Sequence, residues 1–301
     1  MTSATLLVED VAGAVLIQDL GRSLVSLGVP IGGAFDRGAH VRANTLVGND
    51  PDAATLEVVG TLTLRAHGPM LVCVTGTARV QLEAPAAPPA RSALSAEMAL
   101  DLPSGSRLEV SGPGRSYLAV RGGLRVRTVL GSRSSCLMGP LGPPPIRAGH
   151  RIPVGAPSPQ SVDARAGDYA RIERPTGTVP VVAGPHGDLR SATVEVLEAS
   201  RIGIRLAVRA QRGVTGAATT GLPSHGVLPG AIQALPNGDW MLLGPDAGTM
   251  GGYPVIAVLA GDGLDRWAHV SPGQLLNLVA VPVGTPTETT AAQIVRVGEL
   301  G

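Results

Sequence analysis

Several short stretches of this chain carry side chains suited to holding an anion or a small polar molecule. Gln18-Asp19-Leu20-Gly21-Arg22 places a carboxylate and a guanidinium close together directly after a strand-like run. In one reading Asp19 and Arg22 face a ligand at the strand end; in the other Asp19 caps local N–H groups and Arg22 pairs with it. Gly32-Gly33-Ala34-Phe35-Asp36-Arg37 is a glycine turn opening a helix. Free N–H groups and a partial positive charge at such a terminus suit phosphate or carboxylate, which makes Gly33, Asp36 and Arg37 candidates. The plainer reading is a helix cap anchored by Phe35. Arg133, in Gly131-Ser132-Arg133-Ser134, and Arg205, in Gly203-Ile204-Arg205-Leu206, have the planar fork that grips such groups bidentately. Either is equally at home in a surface ion pair.

A longer candidate runs from Ser224 to Pro254. Two glycine-rich turns flank the short apolar strand Trp240–Leu243, with Ser224, Gly230 and Gln233 on one side and Gly251, Gly252 and Tyr253 on the other. Glycine lets a ligand approach the backbone, and Pro254 restricts Tyr253 to an extended conformation. Asn237-Gly238 is a strong hairpin signal, and a strand advances ~3.3 Å per residue. Ala231–Leu235 therefore runs out, the chain reverses, and Trp240–Leu243 brings the second turn back beside the first. The alternative is a pair of structural turns at a barrel corner. Ser224-His225 is not a nucleophile–base pair, because adjacent side chains rarely face each other and no GxSxG elbow surrounds them.

Composition removes other chemistries. All the basic residues are arginine, so no Schiff-base lysine, no P-loop lysine and no covalent biotin can exist on this chain. Any phosphate must be met by arginine, backbone N–H groups or a metal. A net charge of +1 and 2% aromatic residues argue against nucleic-acid binding. Cys73 and Cys136 have no CxxC or CxxH partner, and no His/Asp cluster stands out, so no metal site is expected. With no long apolar run and no signal-type N-terminus, the expectation is a soluble cytoplasmic protein without membrane contact.

The elements that must position these residues read as mostly β with few short helices. Strands are expected at Ala14–Ile17, Thr61–Leu64, Met70–Val74, Arg79–Leu82, Arg107–Val110, Tyr117–Val120, Tyr169–Ile172, Thr193–Leu197, Trp240–Leu243, Val255–Leu259 and Leu275–Val281. One helix spans Phe35–Val47, with Asp36 at its start and Gly48 as its stop; a shorter one covers Leu264–His269. Pro143–Asp168 reads as irregular connection, and a domain boundary falls near Pro175, dividing residues 1–175 from 176–301.

Order and spacing of these blocks, together with Leu27-Gly28-Val29-Pro30, Ala43–Asn49, Ala119–Leu124, Gly184-Pro185-His186 and Ser200–Leu206, carry a resemblance over nearly the whole chain. The sequence resembles the carboxyltransferase subdomain A/B family, which groups the C-type subunit of 5-oxoprolinase with allophanate hydrolase subunit 2-like proteins and is related to urea amidolyase. The resemblance implies a β-rich N-terminal subdomain and a cyclophilin-like C-terminal β-barrel. It also implies a subunit of an ATP-dependent 5-oxoprolinase that opens a lactam to glutamate, using ATP with Mg²⁺ bound by the complex. Its partners would be a subdomain C/D-type subunit and a barrel-type third subunit. Two alternatives stay open: a urea amidolyase or biotin-dependent carboxyltransferase-like subunit, and a non-catalytic module antagonising a kinase inhibitor. The chain departs from the family's pattern at Ser200, His225, Met250 and Gln274.

Overall fold

The computed structural model describes residues 4–85, 92–94, 97–157, 177–214, 222–261 and 263–284. The chain divides into two compact units, Met1–Ser23 with Gly32–Arg171, and Leu24–Ile31 with Ile172–Gly301. The boundary expected near Pro175 and the strand expected at Tyr169–Ile172 lie outside the described residues.

The first unit is a curled sheet of eight strands: β1 (Thr5–Gln18), β2 (Thr55–His67), β3 (Met70–Gly76), β4 (Arg79–Glu83), β5 (Ser92–Leu94), β6 (Ala99–Leu102), β7 (Arg107–Val120) and β8 (Arg151–Pro153). The order is β5-β4-β7-β2-β1-β8, and β3 pairs with the other half of β7 and with β6. Three long antiparallel strands form its spine, and a line of glycines crosses them. Gly13 lies opposite Gly60, and Gly60 opposite Gly112. A Cβ on Gly13 would sit 2.2 Å from the Val59 carbonyl oxygen, and one on Gly60 2.2 Å from that of Ala12. Only glycine permits this approach. Arg107–Val110 and Tyr117–Val120 are therefore two halves of one strand. Pro113 falls in the bulge between them, where its missing N–H takes nothing from the ladder.

Leu6, Val8, Leu56, Leu62, Leu64, Leu108 and Leu118 build the main core on one face. Helix α1 (Arg37–Leu46) covers the other, setting Ala39, Ala43 and Val47 against Cys73, Tyr117 and Ala119. Small residues on both sides allow that close fit. The Asp36 carboxylate caps α1 by accepting from the Ala39 N–H at 2.7 Å, and Gly48, at φ 73°, follows its end.

The second unit contains β9 (Thr178–Ala183), β10 (Ser191–Ala199), β11 (Gly203–Arg212), β12 (His225–Gly226), β13 (Ala231–Ala234), β14 (Trp240–Leu243), β15 (Met250–Gly251), β16 (Val255–Leu259) and β17 (Leu275–Ala280), with the short helix α2 (Gly263–Trp267). Seven of these close into a barrel in the order β10-β11-β14-β13-β16-β9-β17. Val194, Ile204, Leu206, Ile232, Leu242, Ile256 and Leu278 fill it. The hairpin expected at Asn237-Gly238 joins β13 to β14, pairing Ile232 with Leu242 and Ala234 with Trp240. No helix among the described residues is long and apolar enough to cross a membrane.

Candidate functional site

Two of the sequence segments with chemistry-bearing side chains lock together in the first unit. Beyond the end of β1, the buried Asp19 carboxylate accepts from the Gly21 N–H (2.9 Å), the Ser132 hydroxyl (2.6 Å), the Arg133 N–H (2.5 Å) and the Ser134 hydroxyl. Arg22 donates its Nε to the Val129 carbonyl (3.2 Å) and its Nη2 to that of Ser134 (2.7 Å). Its Nη1 is buried with no partner among the described residues. Asp19 and Arg22 are therefore committed to main chain and serines and do not pair with each other. They fix the loop that carries Arg133.

The same network holds a second wall. The Leu20 N–H donates to the Asp52 carboxylate at 2.8 Å, and the Asp52 N–H to that of Asp50 at 2.8 Å. Asn49 accepts from the Gly122 N–H (2.8 Å) and donates to the Val120 carbonyl (2.8 Å), pinning the Gly122-Gly123 turn. Between these segments opens a cleft of about 580 Å³ lined by Asp50, Asp52, Gly122, Gly123, Arg125 and Arg133, with Leu124 and Val126 as apolar flank. Burial lifts the Asp52 carboxyl above its ordinary value. Asp19 and Asp50 add to that, while the Leu20 N–H and Arg133 oppose it. Among the described residues neither the Arg125 nor the Arg133 guanidinium has an ion-pair partner. Of this lining, only Arg133 stood out in the sequence as a site residue.

The Gly32–Arg37 turn has the geometry of an anion site, but the chain supplies the anion. Phe35 donates its N–H to Glu57 Oε2 (3.0 Å), and Asp36 donates its N–H to the Tyr117 hydroxyl (2.8 Å), which in turn donates to Glu57 (2.7 Å). Arg115 closes the group as the ion-pair partner of Glu57 and stacks over the Phe35 ring at 4.9 Å. Burial pushes the Tyr117 phenol well above its ordinary value, so it remains a donor. Gly33, at φ 81°, packs against Gly21, where a Cβ would meet its nitrogen at 2.8 Å; Arg37 is exposed. Glu57 gave no sign of this role in the sequence: one charged residue in an apolar strand reads as an outward side chain.

Behind the turn, His40 on α1 bonds Thr55 at 2.9 Å, and burial drives its pKa down to about 4. Cys73, pushed up to about 12 by burial, is no nucleophile. No group of three or more His, Cys, Asp or Glu that could hold a metal occurs among the described residues.

In the second unit the two glycine-rich turns lie side by side. β12 pairs with β15, His225 opposite Gly251 and Gly226 opposite Met250. Gln233 donates to the Tyr253 carbonyl at 3.4 Å, and a Cβ on Gly251 would strike the Gln233 amide nitrogen at 2.6 Å. Gly230, at φ 88°, bridges β14 and β16 through hydrogen bonds to Leu243 and Leu259. Ser224 is exposed beside them, Tyr253 is 44% exposed, and Gly252 sits between. His225 packs against His186 with ring centres 4.8 Å apart and the rings tilted by 54°. Arg205 lies in the same cross-strand row as Met241 and Gln233, yet pairs with Asp239 at 2.7 Å on the surface. The buried pair is instead Arg201 with Asp246, bidentate at 3.0 and 2.7 Å.

A curled antiparallel sheet and a closed barrel make up the chain, and comparison with known proteins supplies the family. The chain belongs to the family described as carboxyltransferase domain, subdomain A and B, which matches residues 27–280. It is homologous to the C-type subunit of 5-oxoprolinase from Escherichia coli (strain K12), at 32% identity over 287 residues and 87% of each chain. The protein of the same name from Haemophilus influenzae is 28% identical over 295 residues, 90% of each. Among solved structures, TTHA0988 superposes with a TM-score of 0.76 at 28% identity, covering 93% of this chain and 56% of that one. Urea amidolyase of K. lactis shares the fold with a TM-score of 0.81 at 23% identity, and this chain spans 19% of it.

Proposed function

We propose that this chain is the C-type subunit of an ATP-dependent 5-oxoprolinase, opening 5-oxoproline to glutamate together with a subdomain C/D-type subunit and a barrel-type third subunit. The observation that carries the reading is the identity of 32% extending over 87% of both this chain and its E. coli relative. Similarity of that extent covers both units and their site-bearing segments. TTHA0988, of which this chain spans 56%, is long enough to hold a second body of protein on one polypeptide.

The chemistry explains the need for ATP. A five-membered lactam is an unstrained amide and a poor electrophile. Transfer of the γ-phosphoryl group to its carbonyl oxygen creates a leaving group. Water attacks the carbonyl carbon, the ring C–N bond breaks as the nitrogen takes a proton, and the resulting acyl phosphate is hydrolysed by a second water, releasing glutamate and phosphate alongside the ADP formed in the transfer. This chain has no lysine, so its own contribution to holding negative charge comes from arginine or backbone N–H groups. The test is ATP-dependent glutamate release from 5-oxo-L-proline by this chain co-expressed with the products of its neighbouring reading frames. Absence of glutamate from an assembled, stable complex refutes the proposal.

A further inference from the structure

We propose that the cleft between Asp52 and Arg133 binds a small amino-acid derivative carrying both a carboxylate and an N–H group. The carboxylate engages Arg133 and Arg125, and the N–H engages Asp52 and Asp50. The inference deepens the 5-oxoprolinase reading, for 5-oxoproline has these two groups, and it rests on that reading only for the choice of first ligand.

Three observations converge. The first is the arrangement of charge. Two guanidinium groups without ion-pair partners among the described residues and two carboxylates line one open cleft of about 580 Å³, within the roughly 300–1,000 Å³ range of small-molecule sites. Opposite charges held around one space without pairing are complementary to a ligand that has both polarities and can join them.

The second is anchoring. Each wall is held through its main chain or through one carboxylate oxygen, leaving the ligand-facing atoms available. Arg133 is fixed by its N–H to Asp19 at 2.5 Å, and Arg125 by its N–H to the Pro153 carbonyl at 2.8 Å. Asp52 uses Oδ1 for the Leu20 N–H, and its Oδ2 has no partner among the described residues. Such anchoring lowers the ordering cost that binding must meet.

The third is exclusion. Asp50 and Asp52 repel a polyanion, so this cleft disfavours the triphosphate of ATP and selects a monocarboxylate with a donor. An N–H or ammonium group satisfies the carboxylates that a phosphate would oppose.

Equilibrium binding to the co-expressed complex without ATP tests the assignment, using 5-oxo-L-proline, L-glutamate, and 2-pyrrolidinone, the lactam lacking a carboxylate. Arg133→Gln and Arg125→Gln alter side chains outside the internal hydrogen-bond network, and a thermal melt checks folding. Expected is a loss of tenfold or more in 5-oxo-L-proline affinity for Arg133→Gln, with the KM raised and ATP affinity unchanged. Asp52→Asn should weaken the same ligand, and 2-pyrrolidinone should bind weakly and show no change with Arg133→Gln.

If Arg133→Gln, Arg125→Gln and Asp52→Asn all bind 5-oxo-L-proline as the parent does, the cleft assignment fails even if the complex hydrolyses it. A parent complex that binds neither 5-oxo-L-proline nor L-glutamate overturns it too. Should L-glutamate bind in an Arg133-dependent way while 5-oxo-L-proline is neither bound nor hydrolysed, the cleft stands and the oxoprolinase reading falls.

Discussion

Replacing Asp19 by asparagine isolates what the Gln18–Arg22 segment does. Its Oδ1 takes the Gly21 N–H and the hydroxyls of Ser132 and Ser134, while Oδ2 takes the Arg133 N–H. Asparagine keeps one oxygen, so its amide nitrogen must face one of these sets of donors. Turning toward Arg133 is the smaller loss, since it sets one donor against one donor. A lost charge-assisted hydrogen bond costs about 1.5–3 kcal/mol, and a stranded buried N–H about 1–3 kcal/mol more. Together these reach about 2.5–6 kcal/mol, a large share of the roughly 5–15 kcal/mol that keeps a domain folded. At about 2–4 °C per kcal/mol for a domain of this size, the melting midpoint should fall by roughly 10 °C. Differential scanning calorimetry of the purified chain reads this directly. The same substitution releases the Arg133 loop, so 5-oxo-L-proline affinity should fall with it. A midpoint within a degree or so of the parent would show that the Asp19 carboxylate does not hold the loop, and the positioning role would be abandoned.

Other consequences follow from buried groups. His40 has a folded-state pKa of about 4 against an ordinary 6.5, so the unfolded chain binds its proton first as the pH falls. Its contribution is fully present above pH 6.5 and is lost between there and about 4, at about 1.4 kcal/mol per pH unit. Urea midpoints at pH 7 and 4.5 should converge in His40→Gln, and an unchanged acid sensitivity would remove His40 as its cause. Asp246→Asn removes the carboxylate that faces Arg201, whose side chain is 4% exposed, and should cost about 3–5 kcal/mol by chemical denaturation; a loss under 1 kcal/mol contradicts a tight buried pair. Arg205→Ala breaks a pair whose arginine side chain is 44% exposed and should move stability by no more than about 1 kcal/mol. A larger drop would mean that Arg205 holds more than Asp239.

Local signals carried most of the fold. Short β-branched runs bounded by turn residues marked the barrel strands Thr193–Leu197 and Leu275–Val281, and the Asn237-Gly238 turn marked the hairpin of β13 and β14. Asp36 and Gly48 bracketed α1 to within a residue or two. β11 escaped notice because Gly203–Leu206 drew attention as a motif, although Ile204 and Leu206 alternate with Arg205 as a strand requires. The unity of β7 was hidden by Gly112-Pro113-Gly114, which reads as a turn unless the glycines opposite it are known.

The candidate site was legible only in pieces. Asp19, Arg22 and Arg133 stood out, but their mutual lock spans more than a hundred residues of sequence separation. Asp52 and Arg125 carry no local signature; only the sheet brings them to one cleft. Glu57 was invisible for the same reason, since its partners Arg115 and Tyr117 lie on β7.

The central claim is that this chain supplies part of a lactam-opening machine driven by ATP. Its most direct test is the stoichiometry of the co-expressed complex, following ADP and glutamate formed from 5-oxo-L-proline with and without this chain. The account predicts one ADP per glutamate with the chain present and no glutamate in its absence. Equal glutamate formation without the chain, or ADP formation that never yields glutamate, would contradict it.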